Sequence, residues 1–213
     1  MDTEAPNIFD HLESFNEPQH IYIVGAGENA AKFYKHIPKN AFTMAANGAL
    51  AAGNNPEFYP YPWNVWAAFD LAVRNAPYYR MAIPLETKIV MGPALASRTR
   101  KAGMRCDYHF PHAGTIRKGK LPLVFGSAFG GATIVGCMLA IGWYLGAAKF
   151  TFVGVDMKGC RHWDGSKAAR GTGNWPQRVK MQTLIDTMKK RGATFNSLTE
   201  TSLNVPVVMP GRE

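Results

Sequence analysis

A glycine turn near the N-terminus is the first candidate site for ligand binding. The run HIYIVGAGEN closes an apolar, β-branched stretch on Gly25, Ala26 and Gly27, followed by Glu28 and Asn29. Small residues let a ligand approach the backbone, and the first amides of a following helix are positively polarised. The pattern predicts that Gly25, Ala26, Gly27 and Asn29 bind a nucleotide or another phosphate-bearing ligand. A tight turn that needs glycine for geometry alone is the alternative.

Two other turns carry groups of the same kind. Asn47 follows an apolar stretch in AANGAL, and its amide can donate to and accept from a base, a ribose or a phosphate. Ser127, Gly130 and Gly131 precede an uncharged helical pattern, where amides again favour an anion. An ordinary Asn-Gly turn and tight helix packing remain the respective alternatives.

A carboxylate and an imidazole stand close together late in the chain, in VGVDMKGCRHWDGS. Asp156 ends an apolar stretch and His162 follows six residues later, so the pair can act as acid and base. The spacing is not a metal signature. A turn-making Asp156 with an exposed His162 is the alternative.

Alternating strands and helices are needed to position these groups. We predict a strand that ends in a glycine turn at 20–27 and further strands at 41–46, 65–69, 87–91, 123–125, 149–155 and 193–196. Helices are predicted at 28–36, 71–81, 132–145 and 177–190. This alternation implies right-handed crossovers. The expectation is one domain over 1–213, an α/β, three-layer, Rossmann-like fold with a mainly parallel sheet and helices on both faces. Ligands then collect at the carboxyl ends of the strands.

The stretch 94–120 interrupts this pattern. It is basic, aromatic and without clear periodicity, so it is expected to be an irregular excursion that serves as a lid or binding loop. Arg98, Arg100, His109, His112 and Arg117 in this stretch could reach a bound anion.

Composition narrows the class of protein. The net charge of +9 attracts anions, but the basic residues are scattered, so a dedicated nucleic-acid binder is disfavoured and not excluded. Three cysteines without CxxC spacing indicate neither a disulfide framework nor a zinc knuckle. The N-terminus lacks the apolar core of a secretory signal, and a cytoplasmic location is expected. The uncharged stretch 121–148 is broken by Pro122 and glycines, which favours buried elements over a membrane span.

Three segments resemble a known group of proteins. IYIVGAGENA, MAANGAL and GGATIVGCMLAIGWYLGAAKFTFVGVDM are similar to segments of Rossmann-like proteins that include bacterial CMP-sialic-acid-dependent sialyltransferases and hydroxymethylpterin diphosphokinase-like proteins, together with phage and prophage relatives. They cover less than half of the chain. The usual Gly-x-Gly-Pro-Ser loop is replaced here by residues 25–29, and no His-x-His-Gly-Asp cluster is present.

The resemblance implies a role for each matching residue. Gly25, Gly27 and Asn47 would hold the nucleotide, whereas His162 would be the base. Ser127, Gly130 and Gly131 would lie near phosphate or sugar.

The expected function is therefore transfer from a nucleotide-activated donor such as a CMP-sugar, of the sialyltransferase-like glycosyltransferase type. One alternative is a non-catalytic nucleotide- or partner-binding protein of phage origin. Another is a diphosphokinase-like phosphoryl transferase with magnesium held by Asp70 and Asp156. Metal dependence and oligomeric state stay open.

Overall fold

A computed structural model describes residues 4–53, 61–111, 133–157 and 175–208. In these residues, a parallel sheet contains β1 (His20–Val24), β2 (Phe42–Ala46), β3 (Val65–Ala68), β4 (Lys88–Met91), β5 (Tyr108–His109), β6 (Lys149–Val153) and β7 (Thr194–Ser197). The α-helices are α1 (Ala31–Tyr34), α2 (Ala49–Gly53), α3 (Pro93–Lys101), α4 (Ile134–Tyr144) and α5 (Trp175–Lys190). Short 3₁₀ helices span Ile8–Asp10, Leu12–Ser14, Leu71–Asn75 and Pro77–Arg80.

The order of the strands places β1 beside both β2 and β6. Across the sheet the order is β5-β4-β3-β2-β1-β6-β7, so the chain moves outward from β1 to β5 and then returns to the other side of β1. Since successive crossovers keep one hand, reversing the direction moves the helices to the opposite face. The loops after β1 and β6 therefore meet at the topological switch point, where open α/β sheets bind ligands.

Each face of the sheet buries its own core. Ile21 and Ile23 point to the face covered by α4 and α5, whereas Val24 points to the face covered by α1, α2 and α3. Gly142 lets α4 approach the sheet, because a Cβ there would lie 2.7 Å from Ile21 Cδ1. The predicted three-layer α/β fold with helices on both faces is confirmed. None of the helices in the described part of the chain has the length and apolar character needed to cross a bilayer.

Two local predictions are wrong. The predicted helix at 71–81 is a pair of 3₁₀ helices, because Pro77 lacks an amide proton and Ala76 is extended (φ −80°, ψ 142°). The predicted irregular stretch 94–120 begins with the regular helix α3 and contains strand β5. Residues 112–120 and the predicted strand 123–125 lie outside the described residues.

Candidate functional site

The loops after β1 and β6 are joined directly by backbone hydrogen bonds. The Gly25 amide donates to the Val153 carbonyl at 2.8 Å, and the Gly27 amide donates to the Gly154 carbonyl at 2.9 Å. These bonds extend the pairing of β1 with β6 beyond the strands. They place the glycine loop at the carboxyl edge of the sheet, as the sequence predicts.

Close packing of these loops explains the glycines. A Cβ on Gly25 would lie 2.4 Å from the Gly154 oxygen, and a Cβ on Gly27 would lie 1.9 Å from Oδ1 of Asp156. Gly154 itself has φ of +69°, and a Cβ there would lie 2.3 Å from that of Ala30. At Gly25 and Gly154 the clashes involve backbone atoms or the Cβ of Ala30, so glycine is needed there for contacts within the protein. At Gly27 the clash is with the end of the Asp156 side chain, which can rotate away.

Some of the amides that were predicted to bind an anion therefore form hydrogen bonds within the protein. With the amides of Gly25 and Gly27 engaged, those of Ala26, Glu28 and Asn29 are the loop amides without a backbone acceptor in the described part of the chain. Lys32 adds a cation, since its Nζ lies 3.5 Å from Oδ1 of Asn29. The loop can still offer donors and a positive charge to an anion.

Asn47 lies beside this loop at the end of β2. A Cβ on Gly48 would lie 3.5 Å from the Cβ of Ala26, which shows that the two turns touch. Asn47 adopts φ of 47°, a left-handed conformation that asparagine tolerates better than most residues. Its backbone is held at both ends: the amide donates to Ala67, and the carbonyl accepts from the Trp66 indole at 3.0 Å.

The side chain of Asn47, unlike its backbone, lacks a hydrogen bond at its oxygen atom among the described residues. Its Oδ1 is buried and has no hydrogen-bond partner among the described residues. Burying a carbonyl oxygen without a donor costs about 1–3 kcal/mol. A ligand N–H or O–H that reached this buried acceptor would be stabilising, and the turn that carries it contacts the glycine loop at Ala26.

Asp156 completes this edge. Its carboxylate lies against Gly27, as the Cβ contact above shows, and its backbone carbonyl accepts from the amide of Ser202 at 2.9 Å and from the hydroxyl of Ser202 at 3.1 Å. Thr199 accepts from the Gly154 amide at 2.9 Å, and Thr201 donates to Val155 at 2.7 Å. The segment after β7 therefore positions the loop after β6.

Sequence reasoning did not find this supporting segment. The available signal was the run of hydroxyl residues directly after the last strand, in SLTETS, because polar side chains at strand ends face the ligand edge. Trp66, which holds the Asn47 carbonyl, was also missed.

The structure brings most of the described candidates together. Gly25, Ala26, Gly27, Asn29, Asn47 and Asp156 lie at the carboxyl edge of three adjacent strands. The candidates Ser127, Gly130, Gly131 and His162 lie outside the described residues, as do His112 and Arg117.

Other candidates are engaged elsewhere. Asp70 Oδ1 accepts from the Ala72 amide at 2.9 Å, so Asp70 caps a 3₁₀ helix. His109 Nδ1 lies 2.6 Å from the Ala5 carbonyl oxygen, and Arg100 donates to the Glu4 carbonyl at 2.6 Å. Both residues tie down the N-terminal segment. Within the described ranges, no group of three or more His, Cys, Asp or Glu side chains could hold a metal ion.

The described cysteines are poor nucleophiles. Burial raises the pKa of the Cys106 thiol to about 12, with Asp107 adding to the effect, and burial likewise raises the pKa of Cys137 to about 12. Thiols with such pKa values stay protonated at neutral pH.

Neither a protein-family model nor a curated protein matches this sequence.

Proposed function

We propose that this chain is a transferase that takes a nucleotide-activated donor, such as a CMP-sugar, at the carboxyl edge of β1, β2 and β6. The observation that carries the proposal is the buried Oδ1 of Asn47, which has no donor among the described residues and belongs to a turn that contacts the glycine loop through Gly48 and Ala26. A base amino group or a ribose hydroxyl would supply the missing hydrogen bond.

The parts of the donor are assigned by chemistry. The base or ribose lies at Asn47, and the phosphate lies at the amides of Ala26 and Asn29 with Lys32 nearby. Glu28 is exposed, so its carboxylate can rotate into water and away from the phosphate. This placement follows the switch-point rule for open parallel sheets.

The transfer step needs one base. An acceptor hydroxyl oxygen attacks the sugar carbon that carries the phosphate, and the carbon–oxygen bond to the phosphate breaks. The nucleotide leaves with that electron pair, and the hydroxyl proton passes to the base. The sequence predicts His162 for this role, with Asp156 as a second proton acceptor at the same edge. Lys32 and the loop amides would stabilise the charge on the departing phosphate.

The phosphoryl-transfer alternative is less well supported. It needs Asp70 and Asp156 as a magnesium-side pair, but Asp70 already accepts a backbone amide as a helix cap. A capping carboxylate would have to give up that bond to bind the metal.

A nucleotide panel in a thermal-shift assay tests the proposal. CMP, UMP, AMP, GMP and CMP-sugars are added with and without magnesium. At a concentration about 100 times Kd, a bound nucleotide stabilises the folded state by about 2.7 kcal/mol. That corresponds to a rise in Tm of about 5–10 °C for a chain of this size.

Matched variants separate binding from catalysis. Asn47→Gly is expected to abolish the shift, whereas Asn75→Ala, which changes an exposed asparagine at the end of the 3₁₀ helix Leu71–Asn75, keeps it. His162→Ala is expected to keep the shift and to abolish release of CMP from a CMP-sugar. If no nucleotide changes Tm, the proposal is wrong. Salt-dependent binding to nucleic acid without a nucleotide shift would instead support the non-catalytic alternative.

A further inference from the structure

A surface cavity lies at the opposite edge of the sheet from the glycine loop, between the amino ends of β1, β2 and β3. Its volume is about 480 Å³, and its polar lining comprises Asn16, Gln19, His20, Tyr22, Asn40 and Asn64. Tyr22 is the lining residue furthest along β1, three residues before Gly25, so about 10 Å of strand separates this lining from the glycine loop. A ligand here would not touch the proposed nucleotide site.

His20 is held in one orientation within this cavity. Its Nε2 lies 2.8 Å from the Thr151 hydroxyl oxygen, and that hydroxyl donates its proton to Oδ1 of Asn196. A hydroxyl has one proton, so Thr151 must accept from His20. Nε2 therefore carries the proton, and Nδ1 is an acceptor.

The imidazole is also kept neutral. Burial, assisted by the charge of Lys149, lowers the pKa of His20 to about 4. At neutral pH this side chain brings no charge to the cavity.

Tyr22 supplies an aromatic wall and a further polar group. Its ring centroid lies 4.5 Å from that of His20, with 32° between the planes. Burial raises the pKa of the phenol, so the hydroxyl stays protonated, and no hydrogen bond joins it to another described residue. Asn64 uses its Oδ1 to accept from Thr43, which leaves its amide protons as the donors for this cavity.

The lining therefore combines neutral donors, neutral acceptors and an aromatic face. Among the described residues, none that lines the cavity is Lys, Arg, Asp or Glu. Lys149, whose charge acts on His20, is exposed to solvent, so a charged ligand would lose hydration here and gain only a solvent-screened counter-charge. A ligand with alternating hydroxyl donors and acceptors and an apolar C–H face fits this lining.

We propose that this cavity binds a neutral carbohydrate ring, at a site independent of the nucleotide edge. The ring lies against Tyr22, and its hydroxyls bond to Nδ1 of His20 and to the asparagine amides.

Saturation-transfer-difference NMR tests the site with the methyl glycosides of glucose, galactose and N-acetylglucosamine at 1–20 times an expected Kd on the order of 1 mM. At least one glycoside is expected to give a saturable signal. The double variant Tyr22→Phe/Asn40→Ala should weaken its binding about tenfold or more, because it removes two polar groups and keeps the ring that packs on His20.

The controls keep the outcome decisive. Asn75→Ala, which changes an exposed asparagine away from the cavity, should leave glycoside binding unchanged. Thermal melts should show that the double variant is folded, and CMP should give the same Tm shift in the variant as in the parent protein. Failure of every glycoside to bind overturns the carbohydrate site, whatever CMP does. Glycoside binding that survives in the double variant, or preferential binding of uncharged nucleosides that the variant loses, also overturns it.

Discussion

Replacing Asn47 with glycine should not destabilise the free protein, although the residue is central to the proposed site. The side chain carries a buried Oδ1 without a partner among the described residues, and removing it recovers about 1–3 kcal/mol. Glycine adopts the φ of 47° without strain. The added flexibility of the unfolded chain offsets about 0.5–1 kcal/mol of this gain. The expected result is a Tm between unchanged and about 10 °C higher.

A second asparagine provides the matched control. Oδ1 of Asn64 accepts from the Thr43 amide at 2.8 Å and from the Thr43 hydroxyl at 3.0 Å. Since Thr43 is fully buried, Asn64→Gly leaves its amide without an acceptor. We expect a loss of about 2–4 kcal/mol, from the lost hydrogen bonds and the glycine penalty together. For a chain of this size, Tm should fall by at least about 4 °C.

Differential scanning calorimetry of the parent protein and both variants, without ligand, measures the difference. The Tm of Asn64→Gly should be clearly lower than that of Asn47→Gly. If Asn47→Gly lowers Tm as much as Asn64→Gly does, Oδ1 of Asn47 has a donor within the protein and no longer indicates a ligand.

Three further predictions concern stability. Gly154→Ala should cost about 3 kcal/mol or more, because the new Cβ would lie 2.3 Å from that of Ala30, whereas Gly103→Ala, also at positive φ but with no atom within 4 Å, should cost about 1 kcal/mol; urea unfolding compares them. Arg105→Lys should cost about 1–3 kcal/mol in the same assay, because the guanidinium donates to three backbone carbonyls and one carboxylate; an unchanged midpoint would contradict this. The folded-state pKa of His20, about 4, lies below its unfolded value, so the unfolded state binds more protons between these values and stability falls as pH drops from about 6.5 to 4. After allowance for solvent screening, the loss from pH 7 to 5 is about 1 kcal/mol, and melts of His20→Gln over that range should show a correspondingly smaller drop in Tm.

The strands were the easiest elements to predict. A parallel strand covered on both faces is a nearly continuous apolar run that ends in small or polar residues, as KFTFV before Gly154 illustrates. The same reasoning missed β5, because Tyr108 and His109 form a two-residue strand in a polar stretch. That strand depends on pairing with Val90 and Met91 and on the bond from His109 to the Pro6 carbonyl, which are contacts between distant parts of the chain.

The candidate site was predictable in part. Polar residues after strands identified Asn47 and Asp156, because ligands gather at the carboxyl edge of such a sheet. The sequence could not reveal that the amides of Gly25 and Gly27 donate hydrogen bonds to the carbonyls of Val153 and Gly154. It also could not reveal that Thr199 and Ser202 hold that loop.

The sequence by itself determined the alternation of strands and helices and the positions of the turns. These depend on local periodicity and on the backbone freedom of glycine and proline, which neighbouring residues express directly. Only the tertiary structure decided that β1 lies between β2 and β6, so that Gly27 touches Asp156 and Ala26 meets Gly48. Strand order and the satisfaction of each buried polar atom depend on hydrogen bonds and packing between residues far apart in the chain. For this reason the sequence alone could not show that Oδ1 of Asn47 is buried without a partner among the described residues.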